Sequence, residues 1–165
     1  MKTYISQELG IKITHPDGWE PVNNNKYLTD IFGMSEEEAQ GTGFVLVRDS
    51  ESEEEFALFI FGSDDTECST EEKYEKAMEE AITAFKDVYD EVSLKDTAKT
   101  ASGKRIDKII CKDKIEDEFE VFTIYYFLHI NDQLVYGNID DLEAEDGDLV
   151  KMLEQIMHSV EVSKV

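Results

Sequence analysis

Cysteine, proline and histidine are scarce: two, two and three among 165 residues. Two cysteines cannot make a disulfide framework, so the chain must rely on an apolar core. Two prolines and nine glycines leave no room for a linker or a low-complexity tract. The length fits one domain spanning residues 1–165. Bases are the next shortage. Sixteen lysines and arginines face thirty-nine acids, giving a net charge of −23. Such a field repels nucleic acid and anionic lipid and favours cations or basic proteins, and its plainest effect is solubility. No apolar run approaches the ~18 residues of a bilayer span, so membrane insertion is not expected. The opening MKTYISQELGIKI has no apolar h-region and no small-residue cleavage site. That predicts a cytoplasmic protein, although a trimmed exported or lipid-anchored one would read the same.

Chemical motifs are missing too. No GxSxG, GxGxxG, Walker A or HExxH pattern occurs. His15, His129 and His158 are scattered, with none at i, i+4 from another. A zinc site would need them gathered with acids or thiols. Cys68 precedes a helix, whose dipole lowers a thiol pKa, but Glu67, Glu71 and Glu72 push the other way. A Cys68–Cys111 bridge is worth testing only in an exported chain. Acids cluster at Asp49, Glu51, Glu53, Glu54 and Glu55, at Asp64, Asp65 and Glu67, and at Asp140, Asp141, Glu143, Glu145, Asp146 and Asp148. The third cluster fails as a calcium loop. With Gly147 as sixth residue the first position is Leu142, and the closing glutamate is missing. No residue therefore qualifies as catalytic, cofactor-binding or metal-binding, no cofactor is expected, and an enzyme is not indicated.

What is present is periodicity. Residues 3–14 read as a first strand with Gly10 as a bulge or turn, and Trp19 opens a second extended piece. Asn23–Asn25 is loop. MSEEEAQG suggests a short helix, capped by Ser35 with Glu38 and closed by Gly41 and Gly43. GFVLVRD (43–49) and EFALFIFG (55–62) form a hairpin across an acidic turn. In the second, Phe56, Leu58 and Ile60 oppose Ala57, Phe59 and Phe61, so the strand should be covered on both sides. Residues 69–92 make the strongest helix. Tyr74, Ala77, Met78, Ala81, Ile82, Phe85, Val88, Tyr89 and Val92 form its stripe, and Ser69 with Glu72 its capping box. Strands follow at 93–100, 103–113 and 118–130. In the last, Phe119, Val121, Tyr125 and Phe127 oppose Phe122, Ile124, Tyr126, Leu128 and Ile130, again an interior pattern. Asn131-Asp132 allows a two-residue hairpin into 133–139. The loop 140–148 leads to a closing helix with Leu149, Met152, Leu153, Ile156, Met157 and Val160 inward. The fold class is α+β: a mainly antiparallel sheet with helices on both faces, an α/β/α sandwich.

One stretch is more specific. Gly10, Ile11, Ile13, Pro16, Gly18 and Trp19 in GIKITHPDGW end an alternating strand with a turn and the single tryptophan. This resembles the N-terminal signature of the PsbP-like superfamily, whose fold is shared by the extrinsic photosystem II protein PsbP, bacterial relatives and a Ran-binding nuclear import factor. The closing Ser-Val-Glu-Val (159–162) is similar to the end of such proteins. The resemblance implies a bacterial PsbP-related protein and a non-enzymatic binding or assembly role. A protein partner, basic by charge, is expected, as for an immunity-type inhibitor of a cationic toxin. The alternative is a small-molecule or divalent-cation carrier, its pocket lined by aromatics such as Tyr125, Tyr126 and Tyr136. Trp19 is expected in the core. Oligomeric state stays open.

Overall fold

The computed structural model describes residues 1–23, 29–30, 35–37, 42–48, 57–95, 98–116, 119–144 and 147–163. The expected helix at 34–41, apart from Ser35, Glu36 and Glu37, falls outside them, as do Phe56 and the acidic run 49–55. Strands are β1 (Lys2–Ser6), β2 (Ile11–His15), β3 (Trp19–Val22), β4 (Thr42–Arg48), β5 (Ala57–Glu67), β6 (Glu91–Leu94), β7 (Ala98–Lys99), β8 (Arg105–Ile115), β9 (Phe119–Ile130), β10 (Gln133–Leu142) and β11 (Glu161–Val162). The helices are α1 (Glu71–Val88) and α2 (Asp148–His158).

The main sheet runs β3-β4-β5-β10-β9-β8-β6, with β7 beside β8, and its pairings are antiparallel. β5 and β9 lie in its interior, as their two apolar faces require. A second sheet, β1-β2-β11, joins α2 on one face. There Ile11, Ile13, Val150, Leu153, Ile156 and Met157 meet Phe59, Phe61, Ile124, Tyr126 and Leu128. α1 covers the other face, with Tyr74, Ala77 and Met78 against Ile109, Cys111 and Phe127. The result is the expected three-layer sandwich. α2 lies so close to β10 that a Cβ on Gly137 would stand 2.7 Å from Met157 Sδ.

The stretch 10–19 is the corner between the two sheets. β2 buries Ile11, Ile13 and His15 on one side. Gly18, at φ +89°, turns the chain where most side chains would be strained. Trp19 then enters the core at 2% exposure and stacks on Phe59 at 4.4 Å. The chain's other end locks onto the same corner. Thr14 N–H donates to Ser159 Oγ at 2.9 Å, and Ser163 N–H to the Gly10 carbonyl at 2.9 Å.

Several boundaries differ from the sequence reading. The segment 3–14 is two strands, β1 and β2, folded back on each other through residues 7–10. β5 continues to Glu67, so Asp64 lies in a strand. Thr70, not Ser69, caps α1, its Oγ1 accepting from Lys73 N–H at 3.2 Å. The helix stops at Val88, which is exposed, and Val92 belongs to β6. β10 extends to Leu142, taking Asp140 out of the expected loop. Asn131 and Asp132, at φ 55° and 56°, make the expected two-residue turn.

Candidate binding surface

Three groups of polar residues stand out. The first is buried. Asp107 points from β8 towards α1 and is fully enclosed. The Tyr74 hydroxyl donates to its Oδ2 at 2.8 Å and Arg105 Nε at 3.1 Å. Arg105 Nη1 also reaches Glu71 (3.0 Å) and Glu75 (2.7 Å). Burial, and then Asp107 itself, push the Tyr74 hydroxyl far above its ordinary pKa. The buried Asp107 carboxylate is paired with Arg105 and hydrogen-bonded by Tyr74, so the group fastens α1 to β8 rather than presenting a reactive atom.

The histidines and cysteines are similarly engaged. His129 stacks on Tyr74 at 4.9 Å, and its Nε2 lies 2.7 Å from the Cys68 carbonyl. A carbonyl only accepts, so that nitrogen carries the proton. His15 Nδ1 is 2.9 Å from the Pro16 carbonyl and His158 Nδ1 3.2 Å from that of Lys99. The three sit on separate elements, and no group of three metal-binding side chains occurs among the described residues. Cys68 and Cys111 are both buried and free. Cys68 N–H bonds the Asp132 carbonyl beside the β9–β10 turn, whereas Cys111 pairs with Thr123. The run from Thr123 to Ile130 spans roughly 23 Å of strand, far beyond the ~7 Å that a disulfide tolerates between Cα atoms. The bridge considered from sequence is therefore excluded in this fold. Burial, then Asp64, raises the Cys68 thiol pKa rather than activating it.

Cys111 gives a pH prediction. Burial, with Asp113 and Asp140, pushes its thiol from 9.0 up to about 12. Below the unfolded value both states are neutral. As pH rises past it, only the unfolded state ionises, so stability is lost until the folded thiol also titrates. Between about pH 9 and about pH 11 the urea midpoint of the wild type should fall more steeply than that of Cys111→Val. Buried tyrosines supply the shared remainder, and parallel slopes would refute the assignment.

The aromatic pocket expected for a carrier does not assemble from its three tyrosines. Tyr125 stacks on Phe85 of α1 at 4.6 Å and lies 6.1 Å from Tyr136. Tyr126 faces the other way, into the α2 layer.

The third group is open. On the α2 side a groove of about 470 Å³ crosses three strands and the segment that follows β10. Glu91 and Ser93 of β6, Ile110 and Lys112 of β8, Glu120 and Phe122 of β9, and Glu143 with Ala144 line it. Register builds it: Glu91 sits opposite Lys112, Lys112 opposite Phe122, and Phe122 opposite Leu142. Lys112 Nζ is 2.9 Å from Glu120 and 3.5 Å from Glu91. Those carboxylates, Glu120 first, raise its pKa. Glu143 adds a third carboxylate near the apolar floor of Ile110 and Phe122. Lysines 95, 108 and 114 share this face by strand alternation. Of these residues only Glu143, in the third acidic cluster, was considered for function in the sequence. For the buried group on the other face the sequence did carry a signal: Asp107 is an acid at an inward position of the apolar strand RIDKIIC.

This architecture is a PsbP/Mog1-like fold. The chain is similar to the Ran-binding protein Mog1p of Saccharomyces cerevisiae, with a TM-score of 0.57 and 12% identity over 98% of this chain and 94% of that one. It is also similar to cyanobacterial PsbP (CyanoP) of Synechocystis sp. PCC 6803, with a TM-score of 0.55 and 18% identity over 98% and 91%. No protein-family model and no curated protein matches the sequence.

Proposed function

We propose that the chain is a non-enzymatic protein-binding module that docks a basic segment of a protein partner in the β6–β8–β9 groove. The observation that carries this is the lining. Lys112 is already held between Glu91 and Glu120, leaving Glu143 and the outer side of Glu120 to a visiting cation over Phe122. The −23 field steers such a partner in, while Lys95, Lys108 and Lys114 on the same face repel cations that miss the groove carboxylates and so give selectivity. A fold neighbour described as Ran-binding supports a protein partner. An inhibitor of a cationic toxin is one form this binding would take. Nucleic acid is disfavoured by the same field.

Titration with a hexa-arginine peptide, followed by backbone amide NMR, tests the reading. Shifts should centre on Ile110, Lys112, Phe122 and Ala144. Glu120→Gln with Glu143→Gln should weaken binding about tenfold. The same charge change at Glu79 and Glu80, exposed on α1, should do far less. Equal losses, or shifts spread over α1, would leave only a net-charge effect and reject the groove.

A further inference from the structure

The edge of the main sheet beside the groove has its own complementarity. Among the described residues β6 pairs only with β8, so its other side is open. Lys95 N–H bonds the Lys108 carbonyl at 2.8 Å, continuing the β6–β8 register. Alternation then turns the backbone groups of Glu91, Ser93 and Lys95 towards β8, and those of Val92 and Leu94 outward. Glu91, Ser93 and Leu94 are exposed, Leu94 at 51%.

The edge sequence Glu91-Val92-Ser93-Leu94-Lys95 is its own antiparallel complement. Set two copies with Ser93 opposite Ser93 on a two-fold axis. Val92 then faces Leu94 of the second copy as a hydrogen-bonded pair, using the outward groups of both strands. Glu91 faces Lys95 of the second copy as a non-hydrogen-bonded pair, the closer of the two spacings, with both side chains on the groove face. Lys95 currently stands across from Lys108, a like charge, so the carboxylate of a second copy relieves it. Leu94 and Val92 cover one another on the opposite face.

We propose that the chain forms a two-fold homodimer through β6, joining two main sheets into one continuous sheet. The interface is isologous, so each contact occurs twice. A partner strand of uniform positive charge fits this edge less well, because it would meet Lys95. The groove and the edge share Glu91 and Ser93, whereas Glu120 and Glu143, which carry the peptide-binding test, lie outside the edge pairing.

Analytical ultracentrifugation at about 0.15 M salt over a concentration series should show a monomer–dimer equilibrium. Glu91→Lys sets lysine against lysine twice, and Lys95→Glu sets glutamate against glutamate twice. Each should raise the dimer dissociation constant at least about tenfold. Mixing the two variants restores opposite charges in both pairs, and a heterodimer should form at wild-type concentrations. Leu94→Pro removes an outward N–H that β8 does not use, and should give a folded monomer. A wild type that stays monomeric overturns the proposal. So do single variants that still dimerise, or a mixture that does not.

Discussion

Arg105→Met should destabilise the fold by roughly 3 kcal/mol, the low end for breaking a buried ion pair. The reason lies in which carboxylate loses its partner. Glu71 and Glu75 are 69% and 50% exposed, and their bonds to Arg105 are worth under ~1 kcal/mol each. Asp107 is 0% exposed, and water cannot replace the guanidinium at 3.1 Å. Asp107→Asn removes the buried charge while Arg105 keeps both glutamates, so it should cost only about 1–2 kcal/mol. The double variant should then be more stable than the sum of the two losses, with a coupling of about 1–2 kcal/mol. Urea unfolding at pH 7, followed by circular dichroism, measures all three. An Arg105→Met loss below ~1 kcal/mol would make the network a surface feature.

The partners of Asp107 and the groove were illegible for the same physical reason. Periodicity reports which face of an element is buried, and that information is local. It identified β5 and β9 as interior strands and α1 and α2 as amphipathic helices, which fixes three layers. It failed where one element passes into another without a break in pattern. Val88, Tyr89 and Val92 continue the α1 stripe numerically, yet Tyr89 is already extended and Val92 packs from a strand. In residues 3–14 the alternation carries through Gly10, and only the turn at 7–10 reveals a hairpin. The groove needs cross-strand register between residues far apart, such as Glu91, Lys112, Phe122 and Glu143. No spacing rule within one element contains it. The charge is the reverse case. It was plain from composition, but composition could not show that lysines 95, 108, 112 and 114 gather on one face of the β6–β8 edge.

Trp19→Ala should be among the most destabilising single changes in the chain, at roughly 3–5 kcal/mol. Among the described residues β3, only four residues long, pairs with β4 alone and ends the main sheet. Of its residues only Trp19 is buried, so the indole is the anchor that holds this edge to the core. The ring stacks on Phe59 within 11° of parallel, with the Arg48 guanidinium 5.6 Å from its centroid. Truncation opens a cavity against Phe59 and frees the corner at which the β2 sheet is joined to the main one. Trp19→Phe keeps the stack and should recover more than half of the loss. Because Trp19 lies at the β3 edge and the groove at the β6 edge, peptide binding by Trp19→Phe should match the wild type. That separation is the physical content of the signature GIKITHPDGW: its residues specify how two sheets meet, and the binding surface is built at the opposite edge. Circular dichroism in urea gives the stability, and peptide titration of the folded variant gives the affinity. A Trp19→Phe protein that is stable but loses peptide binding would place Trp19 in the site and undo the division between corner and groove.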